Sequence, residues 1–277
     1  MKSAYRKLDW ARRRTAELQA DVDEYRKLDA INFRQKTSPH LFDPSKIVLR
    51  FYAEIDPEMP DWWGLAVGDA LGSLRAALDH ALVGHVRTQV PTLTEAQEKR
   101  LQFPILDDEA KWMGTSKEPG PGRKLRDKCD PTVLKAIQDC QPFVPAWSES
   151  PEEHPLMVLN KMVNNDKHRE STVVAYASHQ LTVDTSRPSA IEILELIQGE
   201  GELVHDALAA TIVVRQPRAA GRRTRAVALD PAPELGFVET LRIPGIADDP
   251  GVGVMTMLEF LISGVQTTLD ELKAAGA

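Results

Sequence analysis

Trp62-Trp63-Gly64-Leu65-Ala66-Val67-Gly68-Asp69-Ala70-Leu71-Gly72-Ser73-Leu74-Arg75-Ala76-Ala77-Leu78-Asp79-His80-Ala81-Leu82-Val83-Gly84-His85-Val86-Arg87 decides the architecture. Pro57 and Pro60 break the chain before it, Asp61 is placed to cap a helix, and Pro91 stops that helix. With about 100° per residue and Leu71 at zero, Leu74, Leu78, Leu82 and His85 fall on one buried stripe. Arg75 and Asp79 flank the stripe four residues apart, the spacing at which helical side chains pair. His80 lies nearly opposite Leu71, on a second line with Asp69, Ser73 and Arg87. Ala76, Val83 and Gly84 share that side, and their small size lets another helix approach. The reading is a helix buried on two sides.

Outward from this helix, Lys2 to about Asp29 carries a helical stripe of Leu8, Ala11, Ala16, Leu18, Val22 and Tyr25. The basic run Arg12-Arg13-Arg14 on its other side reads as a solvated face. Ile47 to Ala53 has the β-branched and aromatic content of a strand. Phe103-Pro104-Ile105 is short and extended. Gly114 to Lys128, with Gly-Pro-Gly and five basic residues, reads as a mobile loop. Pro131 and Pro155 each open a helix, ending near Cys140 and Arg169.

After that the character changes. Segments 171–177, 190–197, 207–214, 225–229 and 235–242 read as strands of an antiparallel sheet built from hairpins, and Gly253 to Ala275 as a final amphipathic helix. The fold class is therefore α+β: a helical bundle packed with an antiparallel β-sheet and closed by a C-terminal helix. Residues 1–170 form the mainly helical region and 171–277 the sheet with the last helix, within one integrated domain.

Composition narrows the classes. With 277 residues, 42% hydrophobic and 27% charged, the chain has the make-up of a globular protein with a sizeable core. A net charge of -7 argues against a protein coated with nonspecific nucleic-acid affinity. The start runs into charged residues, and the longest mostly apolar run, Val252 to Val265, contains Glu259 and glycines. No membrane span or signal core is expected, and the location expected by default is cytoplasmic. Cys129 and Cys140 match no zinc spacing and read as free, reduced thiols. No phosphate-cradling glycine loop or Gly-x-Ser-x-Gly elbow occurs. Trp62 and Trp63 read as core packing, and the arginines at 215, 218, 222, 223 and 225 as a solvated hairpin.

Chemistry concentrates in two helical segments, Arg75 to His80 and Asn164-Asn165-Asp166-Lys167-His168-Arg169. Each sets an acid beside a histidine within reach of an arginine, in apolar helical surroundings where an unpaired charge is costly. In the second helix Leu156, Leu159, Met162 and Val163 supply the core. Asn160, Asn164, Lys167 and His168 line a polar strip beside it. Asparagine has poor helix propensity, and an amide there suits the fixing of a backbone or a phosphate. Cations in the last turn also match the helix dipole. Asp69, Asp79, His80, Asp166 and His168 form a conceivable set of metal ligands, with no short-range ligand spacing among them. If the two helices are neighbours, His80 faces the strip that ends in His168.

Gly68-Asp69-Ala70-Leu71, Leu74-Arg75, Leu78-Asp79-His80, Phe103-Pro104-Ile105, Gln141-Pro142-Phe143 and Asn165 to Arg169, in that order, resemble a family of uncharacterised bacterial and phage-related proteins, over roughly Leu49 to Arg169. A more distant resemblance is to the HEPN helical domains, many of them metal-independent ribonucleases, whose motif is an arginine followed by four to six residues and a histidine. Arg75 and His80 match that spacing, although Ala76 stands where that motif has a polar residue, and the two side chains diverge by about 140° on a regular helix. The resemblance implies that His80 assists attack of a ribose hydroxyl and that Arg75 stabilises phosphoryl charge. The expectation that follows is a ribonuclease-like, phosphodiester-directed enzyme of defence or toxin type. It would use Arg75, Asp79, His80, Asp166, His168 and Arg169 in catalysis, bind RNA through Asn160, Asn164 and Lys167, and need no cofactor. The alternatives are a non-enzymatic structural or interaction protein, with a buried charged network that specifies the fold or a homodimer, and a metal-dependent hydrolase.

Overall fold

A computed structural model of the protein describes residues 1–145, 150–168, 173–182, 192–199, 202–215, 234–242 and 253–277, with backbone alone for 165–168, 173–182, 202 and 234–242. The fold is α+β and ends in a helix. In chain order the elements are α1 (Lys2–Arg26), β1 (Ile31–Pro39), β2 (Lys46–Ile55), α2 (Trp62–Gln89), α3 (Glu95–Glu98), α4 (Glu109–Met113), α5 (Pro121–Leu125) and α6 (Pro131–Asp139). They continue with α7 (Pro155–His168), β3 (Val173–Thr182), β4 (Ile193–Gln198), β5 (Glu202–Leu203), β6 (Leu208–Arg215), β7 (Glu234–Arg242) and α8 (Val254–Ala274). Two compact units are formed, each discontinuous in sequence.

The first unit holds residues 1–20, 62–172 and 255–277. Its centre is α2, which buries both flanks: Leu71, Leu74, Leu78 and Leu82 on one stripe, Ala66, Ala70, Ala77 and Ala81 beside it. Each fully buried leucine contributes about 1.5–3 kcal/mol relative to exposure. Helix α1 covers the second line of α2 in antiparallel sense, since Arg14 reaches Asp69 (3.3 Å) and Ser3 reaches His80 (2.7 Å). The small side chains on that line admit it: a Cβ added at Gly84 would meet only the backbone nitrogen of Met1, at 3.8 Å. Helix α7 packs on α2 as well. Helix α8 closes against α1 through Arg12 to Gln266 (2.9 Å), and against α6 through the Thr132 hydroxyl, which donates to the carbonyl of Ala275 (3.0 Å).

Between α4 and α6 the expected mobile loop is instead ordered. Gly114 takes φ 62°, a conformation suited to glycine, and donates its N–H to the carbonyl of Ala110. Gly114 and Pro119 then form a β-bridge, and Pro121 opens α5, with Trp112 and Leu125 buried. Glycine and proline here mark tight turns and a helix start.

The second unit holds residues 21–61 and 173–254. One antiparallel sheet has the order β1-β2-β6-β4 and another the order β5-β3-β7. In the first, Ile47, Leu49 and Phe51 stand in register with Val214, Ile212 and Ala210, and the six form one buried face with Phe33 and Ile193 packed against it. Strand β1 was not anticipated from sequence. The strand expected at 225–229 lies outside the described residues. The grouping also differs from a split at residue 170: the β1–β2 hairpin joins the later strands, while α8 joins the helices.

Candidate functional site

Arg75 and Asp79 meet as their spacing predicts, Nη2 to Oδ1 at 3.4 Å, with side chains 13% and 26% exposed. Their further partners lie on the extended segment after α3. Arg75 Nη2 donates to the carbonyl of Phe103 at 2.7 Å, and the Phe103 N–H donates to Asp79 Oδ1 at 2.7 Å. The ion pair thus satisfies both backbone polar groups of one residue, as a neighbouring strand would. Burial lowers the Arg75 guanidinium from its ordinary pKa, and Asp79 opposes that shift. Nη1 of Arg75 is buried without a hydrogen-bond partner among the described residues.

Gln141 extends the clasp. Fully buried, its Nε2 donates to the carbonyls of Pro104 (3.0 Å) and Ile137 (2.9 Å), and its Oε1 accepts the N–H of Leu106 (3.1 Å). Segment 103–106 is therefore bound to α2 and to the end of α6 by three side chains. Its own side chains Phe103 and Ile105 are buried. The Phe103-Pro104-Ile105 and Gln141-Pro142-Phe143 motifs belong to one clasp, a link the sequence reading missed.

His80 points elsewhere. Its Nδ1 is 2.7 Å from the hydroxyl of Ser3, so α1 holds it. Asp69 is bound by Arg14. No cluster of three or more histidine, cysteine, aspartate or glutamate side chains suited to a metal ion occurs among the described residues. Of the second motif, Asn160 is half-buried and Asn164 exposed. Asp166, Lys167 and His168 lie in α7 with side chains outside the described residues, and Arg169 lies outside them altogether.

Among the described residues, two histidines outside both motifs are buried and hydrogen-bonded at helix starts. His85 is buried, and its Nε2 accepts the N–H of Asp130 at 3.0 Å, where α6 begins. His154 is buried just before α7, and its Nδ1 accepts the N–H of Leu156 at 3.1 Å. Burial lowers both imidazoles, His154 to about 4. Each ring is a neutral acceptor at a helix start.

No family model, curated protein or solved structure matches this chain. Its chemistry rests on its own geometry.

The remaining expectations divide. Trp63 is buried, whereas Trp62 is 45% exposed. Arg12 and Arg14 make surface ion pairs with Asp9 and Glu17, and Arg13 and Arg14 lie over the exposed Trp10 ring. Cys129 and Cys140 are free and buried, and desolvation raises both thiols, Cys129 to about 11. Among the described residues no helix is long and apolar enough to cross a membrane. Of the arginines expected on a solvated hairpin, Arg215 pairs with Glu192 at 3.0 Å, and residues 216–225 lie outside the described residues.

Proposed function

We propose that this chain is a non-enzymatic interaction protein whose Arg75–Asp79 motif specifies the fold of the helical unit. The observation that carries this reading is the capture of both backbone polar groups of Phe103 by the one ion pair. A ribonuclease-like enzyme would need Arg75 and His80 at a single phosphate. Arg75 binds the segment after α3 and His80 binds α1, a divergence that favours the structural role. A partly buried pair of this kind adds little net stability over apolar packing, but it fixes which segment docks where.

Purified protein incubated with a labelled single-stranded RNA tests the proposal, with His80→Ala as the comparison. The expected result is equal, background-level cleavage by both proteins. Cleavage by the wild type that His80→Ala abolishes, at unchanged melting temperature, would overturn it.

A further inference from the structure

The β1–β2 hairpin carries two features that the fold does not use. At its turn, Leu41 and Phe42 are 84% and 87% exposed, adjacent large apolar side chains with almost no cover. On the stem, Lys36 and Arg50 stand directly opposite one another in the antiparallel register. Like charges in that position repel. They splay apart, Lys36 Nζ lying 4.7 Å from the ring centre of Tyr52 and Arg50 Nη1 donating to the hydroxyl of Ser38 at 3.0 Å. Neither meets a carboxylate among the described residues. Their neighbours are compensated: Arg34 by Glu54 and Asp206, Lys46 by Asp43. The hairpin therefore presents an uncompensated pair of positive charges between an exposed aromatic at the turn and Tyr52, half-buried in the stem.

We infer that this hairpin is a binding surface for single-stranded nucleic acid. Lys36 and Arg50 contact the phosphate backbone, and the exposed Phe42 ring at the turn offers a stacking face for an unpaired base. Two observations set this occupant apart from a nucleic-acid duplex and from a bilayer. Strand β2 is hydrogen-bonded along most of its length to β6 as well as to β1, so the hairpin is not a free two-stranded arm that could enter a duplex groove. A bilayer-docking tip would need its free cations at the tip. Here the cation nearest the turn, Lys46, is neutralised by Asp43, and the uncompensated pair sits roughly 15 Å down the stem at about 3.3 Å per residue.

This inference deepens the reading of the chain as an interaction protein and rests on it, yet the two fail separately. The His80-dependent cleavage described above would overturn that reading, whereas this one is decided by binding. Fluorescence anisotropy of the full chain with 12-nucleotide oligouridine and oligothymidine, at 50 and 200 mM salt, measures the binding and shows whether RNA or DNA is preferred. The Lys36→Gln/Arg50→Gln double variant should weaken binding about tenfold and flatten the log–log salt dependence by about 1.4, the value for two phosphate contacts on a single strand. Leu41→Ser/Phe42→Ser should weaken it about tenfold or more with the salt slope unchanged. Lys36, Leu41 and Phe42 are exposed and Arg50 is half-buried on β2, and circular dichroism checks that each variant is folded. Absence of binding by the wild type, equal binding by folded variants, preference for the matching duplex, or tip-dependent sedimentation with phosphatidylserine vesicles in place of oligomer binding would each overturn the inference.

Discussion

Asp79 accepts the N–H of Phe103 while Arg75, one turn earlier on α2, donates to the carbonyl of the same residue. Removing either partner leaves a partly buried charge and an unsatisfied backbone group. Asp79→Ala should therefore cost about 3 kcal/mol. Asp79→Asn keeps an acceptor for the N–H and should cost less than half of that. Urea unfolding checks both: the midpoint should fall while the slope stays constant. An Asp79→Ala midpoint equal to that of the wild type would mean that the clasp does not stabilise the fold.

Gln141 serves the same segment from the other side with three hydrogen bonds and no exposed surface. Gln141→Leu fills the space and satisfies none of them, so a loss of about 2–4 kcal/mol is expected. Gln141→Glu keeps the acceptor for Leu106 but turns an oxygen toward two carbonyls. Its destabilisation should ease at acidic pH, where the introduced carboxyl can take a proton and donate. Thermal melts at pH 5 and pH 8 distinguish the two variants.

His154 links stability to pH. Its imidazole is lowered in the folded chain from an ordinary value of 6.5 to about 4 by burial, and its Nδ1 lone pair receives the Leu156 N–H. The unfolded chain takes up the proton first, so the stability this histidine contributes is complete above pH 6.5 and is lost as pH falls toward 4. There the folded chain protonates too and the loss levels off. The span corresponds to about 3 kcal/mol at 1.4 per pH unit. His85, lowered in the same direction and accepting the Asp130 N–H, adds to the trend. His154→Asn can still cap α7 without titrating. Its stability should fall less between pH 7 and pH 4.5 than the wild type's, and parallel curves for the two proteins would refute the assignment.

How much of this was readable in advance follows from where each signal sits. Helix α2 was legible because its apolar positions recur with helical period, and the Arg75–Asp79 pair because four-residue spacing forces two side chains together. Their use was not. Phe103 offers them only its backbone, which has no signature in sequence, and it lies 24 residues beyond Asp79. Strand β1 escaped because Asn32, Arg34, Gln35, Lys36 and Ser38 give a sheet edge the composition of a loop. The grouping of β1 and β2 with strands more than a hundred residues later depends on pairing of Leu49 with Ile212, which no local pattern encodes. The small residues opposite Leu71 did announce a neighbouring helix, and α1 is that helix.

Gly264 offers the last test, because propensity and packing point in opposite directions there. It sits inside α8, where alanine is favoured over glycine by about 1 kcal/mol. A Cβ built on it would lie 2.5 Å from Cβ and 2.6 Å from Cγ of Pro155, the first residue of α7. The proline ring cannot rotate away, so the two helix backbones must separate to admit a methyl group. Overpacking of this kind costs about 1–3 kcal/mol, which outweighs the gain in propensity. Gly264→Ala should therefore lower the melting temperature, and Gly264→Val should lower it further. The sign decides the matter: a Gly264→Ala protein more stable than the wild type would mean that α7 and α8 do not approach as closely at Pro155 as the contact requires.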